Sequence, residues 1–257
     1  MDSVSPLWGI CSFESIKNNL IDCRAKSRIP QNTESVIVAC FPYLLDKSEY
    51  HNINISKYAV VTDYHTVALN RLNRAVEKLR EIYPDEEFAA FADNSPVPEV
   101  TAACNAGLGS RGLNSLLITR KYGSYVFIGE IVTTLKTESP DFEASACINC
   151  GKCIKACPSG AISKNGFQKS VCLSEITQKK GELSETEKSL MAECGCVWGC
   201  DICQDVCPMN QNAETTQIEE FISAPIPCIE EGCILDGRAY EWRGRKVIER
   251  NISLHKR

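Results

Sequence analysis

From Asp63 onward, Leu69, Leu72, Val76, Leu79 and Tyr83 recur at helical spacing on a polar background, and Pro84 closes the segment. That pattern predicts an amphipathic helix. Ahead of it, SVIVACFPYLL (35–45) is a continuous apolar run, which predicts a buried strand ending at Pro42 or soon after. Residues 13–26 carry spaced apolar positions and read as a further helix. EFAAFAD (87–93) predicts a short strand, and Asp93-Asn-Ser-Pro-Val-Pro98 a turn that opens a helix, because proline is tolerated in a first turn. EVTAACNA carries that helix to Gly107, a suitable C-terminal stop. SLLIT and SYVFIGEIVTTL, divided by the turn RKYG, predict two more strands.

This order decides the meaning of Gly107-Leu-Gly-Ser-Arg-Gly112, which spells the dinucleotide string G-x-G-x-x-G. A dinucleotide site needs a strand before the glycines and a helix opening on them, so that the phosphates meet a helix N-terminus. Here a helix precedes and a strand follows. The glycines therefore predict a tight helix-to-strand connection with left-handed backbone at one or more of them, and they leave room for close backbone approach to some other ligand.

Composition alters the picture at one residue type. The 257 residues contain 16 cysteines: four before residue 140, ten between 147 and 207, and two at 228 and 233. The N-terminus lacks a basic and apolar leader, so the expected setting is cytoplasmic, where thiols stay reduced and metal ligation is favoured over disulfides. No apolar run is long enough for a membrane span, and a net charge of −5 provides no general attraction for nucleic acid. The acidic stretch TESPDFEAS (137–145) reads as a linker. The expected organisation is α+β: an α/β cofactor and substrate domain over 1–138, a ferredoxin-like domain over 139–212 and a tail over 213–257.

Cys147-x2-Cys150-x2-Cys153-x3-Cys157-Pro158 is the complete bacterial ferredoxin run. Thiolates suit iron–sulfur clusters, which are soft centres needing anionic sulfur donors. Zinc sites use paired CxxC knuckles and do not require this third cysteine or the trailing proline. A second copy, Cys200-x2-Cys203-x3-Cys207-Pro208, has Val197 where its first cysteine would stand. If the fourth cysteines cross over, one [4Fe–4S] cluster takes Cys147, Cys150, Cys153 and Cys207. The other takes Cys157, Cys200 and Cys203 and lacks one ligand. Spacing leaves Cys172, Cys194 and Cys196 open for that place, as well as a three-cysteine cluster.

The block CINCGKCIKACPSGAI, VCLSEIT and GCDICQDVCPMN resembles the iron–sulfur region of the epoxyqueuosine reductases, relatives of the reductive dehalogenases. KYAVVTDYHTVALNRL, FADNSPVPEVTAACNAGLGSRGLNSLLIT and YGSYVFIGEI are similar to family segments in the same order, so the likeness runs over about residues 35 to 212. The resemblance implies that Cys172 completes the second cluster. It also implies a cobalamin-binding-type first domain, with Tyr64, His65, Ser95, Gly107, Gly109, Arg111, Gly112, Asn114, Ser115, Tyr122 and Gly123 around the cofactor and Asp93 as proton donor to substrate. Asp93 reads equally as an Asx turn entering the helix, and His65 as a structural histidine. Arg111 and Leu113 depart from residues common in relatives.

The expected function is a cobalamin- and iron–sulfur-dependent oxidoreductase of queuosine biosynthesis. Electrons would come from a low-potential donor of ferredoxin or flavodoxin type, and the substrate would be an epoxide on a small molecule or nucleoside. The alternative is an electron-transfer protein that binds a corrinoid or activates a corrinoid partner. Full-length family members continue into a tRNA-contacting helical-repeat domain, whereas this sequence stops at Arg257. Weak tRNA binding is therefore expected, resting on the basic tail of Arg238, Arg243, Arg245, Lys246, Arg250, Lys256 and Arg257.

Overall fold

A computed structural model describes residues 1–137 and 147–255; the linker expected at 137–145 falls almost wholly outside them. In chain order the first elements are β1 (Leu7–Ser12), β2 (Ser35–Pro42), α1 (Lys57–Val60), α2 (Tyr64–Ile82) and β3 (Phe88–Ala92). α3 (Glu99–Asn105), β4 (Ser110–Arg111), β5 (Leu117–Ile118) and β6 (Val126–Thr133) follow. Then come α4 (Lys152–Ala156), β7 (Ile162–Ser163), β8 (Gly166–Phe167), α5 (Leu173–Gln178), α6 (Glu185–Cys194), α7 (Ile202–Asp205), α8 (Glu219–Ile222) and α9 (Arg245–Ser253). The chain divides into two units. The first comprises 1–42, 64–112 and 116–147, and the second 43–63, 113–115 and 148–257. The stretch 43–63 and the expected tail thus both belong to the second unit, and neither follows the linear boundaries at 138 and 212.

The first unit is built on an antiparallel sheet in the order β1-β2-β6-β3. β2 is central and buried at all eight positions, which is why it reads as an unbroken apolar run. Its pleat sends Val36, Val38 and Cys40 into a core shared with Ala102 and Ala103 of α3 and with Ala106 and Leu108 just beyond it. On α2, Leu72 and Val76 are buried as expected, together with Val67, Ala68 and Ala75, while Tyr83 is exposed. Each fully buried Val or Leu contributes about 1.5–3 kcal/mol.

Residues 13–26 do not form the expected helix. They make short 3-10 turns at Phe13–Ser15 and Lys17–Asn19, with another over Arg24–Arg28. Leu20 is extended (φ −59°, ψ 138°), and the Ile21 N–H donates to the Pro96 carbonyl at 2.8 Å. A tertiary hydrogen bond thus takes the amide that a continuous helix would use.

The glycine string is a helix-to-strand connection, as its context predicts. Gly107 is left-handed (φ 75°) after α3, and β4 pairs with β5 immediately beyond. At Gly109 the close backbone approach is internal, because a Cβ there would collide with the Ile118 carbonyl of β5. Gly109→Val is expected to destabilise the first unit by about 1–3 kcal/mol, read by denaturant unfolding.

In the second unit, Trp198 is fully buried, donates from Nε1 to Tyr58 Oη at 2.8 Å and meets Tyr240 edge-on. α9 is anchored here by Asn251, fully buried, whose amide donates to the carbonyls of Thr177 (2.7 Å) and Val197 (2.8 Å). Arg250 donates to the carbonyls of Lys179 and Gly181, and Arg238 to those of Val60 and Ala224. Two cations of the expected basic tail are therefore committed internally, and Lys256 and Arg257 lie outside the described residues. Among the described residues no helix is long and apolar enough to cross a membrane.

Candidate functional site

In the first unit β3 runs into Asp93 and Asn94, both left-handed (φ 55° and 45°), before α3 begins. Short polar side chains tolerate that region best, so the turn between β3 and α3 selects residues of this kind. The Asp93 carboxylate meets His65 in the first turn of α2, with Nε2 to Oδ2 at 2.9 Å. Tyr64 stacks on the His65 ring at 4.0 Å and on Phe127 at 4.0 Å and 5°. His65 is thus paired with the Asp93 carboxylate.

Asp93 lines a cavity of about 430 Å³ with Asn94, Ser95, Glu99, Arg111 and Cys23. That volume suits a small ligand or one nucleoside-sized fragment. Arg111 donates to Thr101 Oγ1 at 2.9 Å, and Ser95 Oγ accepts the Val97 N–H at 3.1 Å. Two carboxyl groups that the sequence did not single out complete the site. Burial, then the neighbouring Asp93, raises Glu99 to about 7, while its oxygen accepts the Asp93 N–H. Glu130, in the middle of β6, is fully buried and raised well above the carboxylate range by burial and then by Glu99. Ser95 stands near Glu130, yet neither Glu130 oxygen has a hydrogen-bond partner of good geometry. The signal for Glu130 was available: it is the one charged residue in the apolar run VFIGEIV.

The remaining residues implied by the resemblance are spread along one loop region. Gly112 donates its N–H to the Leu116 carbonyl. Thr119 donates from its N–H and Oγ1 to the Gly123 carbonyl and accepts the Tyr122 N–H, and Tyr122 is buried. Asn114 and Ser115 belong to the second unit: Asn114 is buried with its side chain on Cys203, and Ser115 is left-handed (φ 65°).

The second unit gathers the cysteines. α4 and α7 pack together and bring Cys153 and Cys203 into each other's field. Cys172 neighbours both Cys157 and Cys203, and Cys203 neighbours Cys200, so the four thiols expected on one cluster share one neighbourhood. Backbone amides face these sulfurs: those of Ser159, Ala161 and Ile162 at Cys157, of Ser174 and Glu175 at Cys172, and of Ile202 at Cys200. Burial opposes ionisation at Cys157, but the donors outweigh it and the thiol is lowered. Cys194 and Cys196 stand beside Cys157 and Cys200 without any amide donor. In the other expected set, Cys150 is exposed, Cys153 is buried and Cys207 precedes the Pro208 turn. Cys147 ends the first unit, donating its N–H to Ser110 Oγ at 3.0 Å. Among the described residues no three His, Cys, Asp or Glu side chains close on a single metal ion. A four-iron cluster holds its thiolates farther apart than one ion does.

These features define a two-unit iron–sulfur protein whose α+β unit presents a carboxylate–imidazole pair at a small cavity. Residues 146–210 match the 4Fe–4S double cluster binding domain, and residues 25–94 match the model described as "Epoxyqueuosine reductase QueG, DUF1730". The chain belongs to the epoxyqueuosine reductase family. It is 36% identical over 203 residues to the epoxyqueuosine reductase of Listeria monocytogenes, covering 74% of this chain and 53% of that one. With the enzyme of Lactococcus garvieae it is 31% identical over 220 residues, covering 80% and 62%. The chain therefore spans between half and two thirds of these relatives. Its fold matches the epoxyqueuosine reductase structure from Streptococcus thermophilus at TM-score 0.78 and 22% identity, over 96% of this chain and 76% of that one. It also matches an epoxyqueuosine reductase solved with a tRNA-Tyr epoxyqueuosine-modified stem loop, at TM-score 0.78 and 24% identity, over 99% and 78%.

Proposed function

We propose that this protein reduces the epoxide of an epoxyqueuosine-type nucleoside, carried on tRNA as in the relative solved with a modified stem loop. The observation that supports this most is Asp93, held by His65 at the edge of a nucleoside-sized cavity in a chain that also carries a double-cluster domain. Electrons would enter from a low-potential donor of ferredoxin or flavodoxin type through clusters held by Cys147, Cys150, Cys153 and Cys207 and by Cys157, Cys172, Cys200 and Cys203.

Cobalamin is the further cofactor that family membership brings to this reading. Tyr64, His65, Ser95, Gly107, Arg111, Gly112, Asn114, Ser115, Tyr122 and Gly123 would hold it. They supply hydrogen-bonding side chains and backbone at turns, including left-handed Ser115 and Gly123. Such a donor set fits a ligand fringed by carboxamides, which needs dispersed hydrogen bonds and no charged cage. Gly109, also expected among them, could contribute backbone only, since the Ile118 carbonyl leaves no room for a side chain there. When bound, the cofactor supplies a redox-active cobalt beside the substrate.

The work of the protein residues follows from their geometry. His65 orients the Asp93 carboxyl, and Asp93 carries a proton to the epoxide oxygen as its bonds to carbon break. Arg238 and Arg250 donate to internal carbonyls, so contact of that tail with tRNA would fall to its other basic residues. The test is anaerobic reconstitution with iron, sulfide and cobalamin, followed by assay on an epoxyqueuosine-containing stem loop with a reduced low-potential donor. Conversion to queuosine with about eight irons and eight sulfides per chain is expected. A fully loaded protein that binds cobalamin but never converts the epoxide would favour an electron-transfer role.

A further inference from the structure

We propose that Glu99 is the second proton donor of this site, delivering into the cavity the proton that epoxide reduction requires beyond the one on Asp93. The inference rests on the epoxide-reductase reading above. Removing an epoxide oxygen breaks both C–O bonds, forms a C=C bond and releases water. Two electrons, which the low-potential donor would supply, and two protons are consumed. Asp93 carries one proton per turnover, so the balance calls for another acid at the same cavity.

Glu99 is the only other carboxyl lining that cavity among its described residues. It sits in the first turn of α3 and accepts the Asp93 N–H, so the two acids share one loop. Its edge on the cavity is partly exposed, yet the surrounding protein encloses the carboxyl closely enough for burial to outweigh every other influence on it. Next to it, Glu130 is aligned with Val38 of β2 and Phe91 of β3 in the apolar sheet face, fully buried and without a hydrogen-bond partner. Burial opposes ionisation of both carboxyls and Glu99 further opposes that of Glu130, so Glu130 holds its proton more firmly and Glu99 is the one that titrates near neutrality. Among the described residues no lysine or arginine is a cause of either shift. The groups facing Glu99 and Glu130 are Asp93, His65 on α2, Cys11 on β1 and Cys40 on β2. Of these, the Asp93 N–H and a protonated His65 favour ionisation of Glu99, while burial and the Asp93 carboxylate outweigh them. Arg111 on β4 is turned to Thr101 and Cys104.

Glu99→Gln separates proton supply from positioning, because the Gln carbonyl still accepts the Asp93 N–H but carries no titratable proton. In the reconstituted enzyme kcat is expected to fall about 10²-fold with KM within about twofold. Glu99 must be protonated to donate, so wild-type kcat should decline as pH rises through about 7, and Glu99→Gln should lack that decline. An independent readout needs no turnover. Infrared titration of the full chain with labelled glutamate should show a protonated-carboxyl band disappearing near pH 7, absent in Glu99→Gln. A Glu99 already ionised well below neutrality overturns the proposal, as does an active Glu99→Gln enzyme with unchanged kcat and pH profile. If the wild type converts no epoxide at all, the reductase reading falls, and with it the relay. The infrared band would then report only where the proton resides.

Discussion

Cys172→Ala is expected to remove one of two clusters, lowering iron and acid-labile sulfide from about eight each to about four each per chain, while Cys194→Ala and Cys196→Ala leave both in place. The three thiols lie in the same neighbourhood, so proximity does not separate them; hydrogen bonding does. Cys172 precedes α5, where the amides of Ser174 and Glu175 face its sulfur, as amides face Cys157 and Cys200. Such donors stabilise a thiolate and a cluster sulfur alike. Cys194 is the last residue of α6, at the carbonyl end of a helix, and its neighbours Glu193 and Cys157 only raise it. Cys196 is raised by burial, as Cys172 and Cys200 are, but no amide is among the groups acting on it. The measurement is iron and sulfide analysis with spectroscopy of the reduced protein. Full cluster content in Cys172→Ala, with loss in either of the other two, would reassign the fourth ligand.

The second large effect is at Asp93. Asp93→Asn preserves the size and turn preference of the side chain and removes its proton, so turnover should fall about 10²–10⁴-fold with cluster content unchanged. His65→Ala should cost less, about tenfold, because it frees the carboxylate from the 2.9 Å contact that aims it without deleting the acid. Single-turnover assays on an epoxyqueuosine stem loop measure both. An Asp93→Asn variant with wild-type turnover would return Asp93 to the Asx-turn role that its sequence context also allows.

The ferredoxin-type cysteine run and the glycine string were legible because their patterns are local. A loop that wraps a cluster fixes the spacing of Cys147, Cys150, Cys153 and Cys157 within eleven residues, and the string's meaning depends only on which elements flank it. β2, α2, β3, α3 and β6 were readable for the same reason, since period and run length are properties of a single segment. Where a distant partner competes, local reading failed: residues 13–26 have apolar spacing suited to a helix, but Pro96 claims the Ile21 amide. The partners of the proposed proton donors lie in such distant pairings. Asp93 and His65 are 28 residues apart, and Glu130 meets Glu99 only because β6 enters the sheet between β2 and β3. Sequence determined which residues can bind clusters and which segments can be helix or strand. Only the tertiary structure decided which acids share a cavity, because burial and the field of neighbouring charges are set by the packing of segments far apart in the chain.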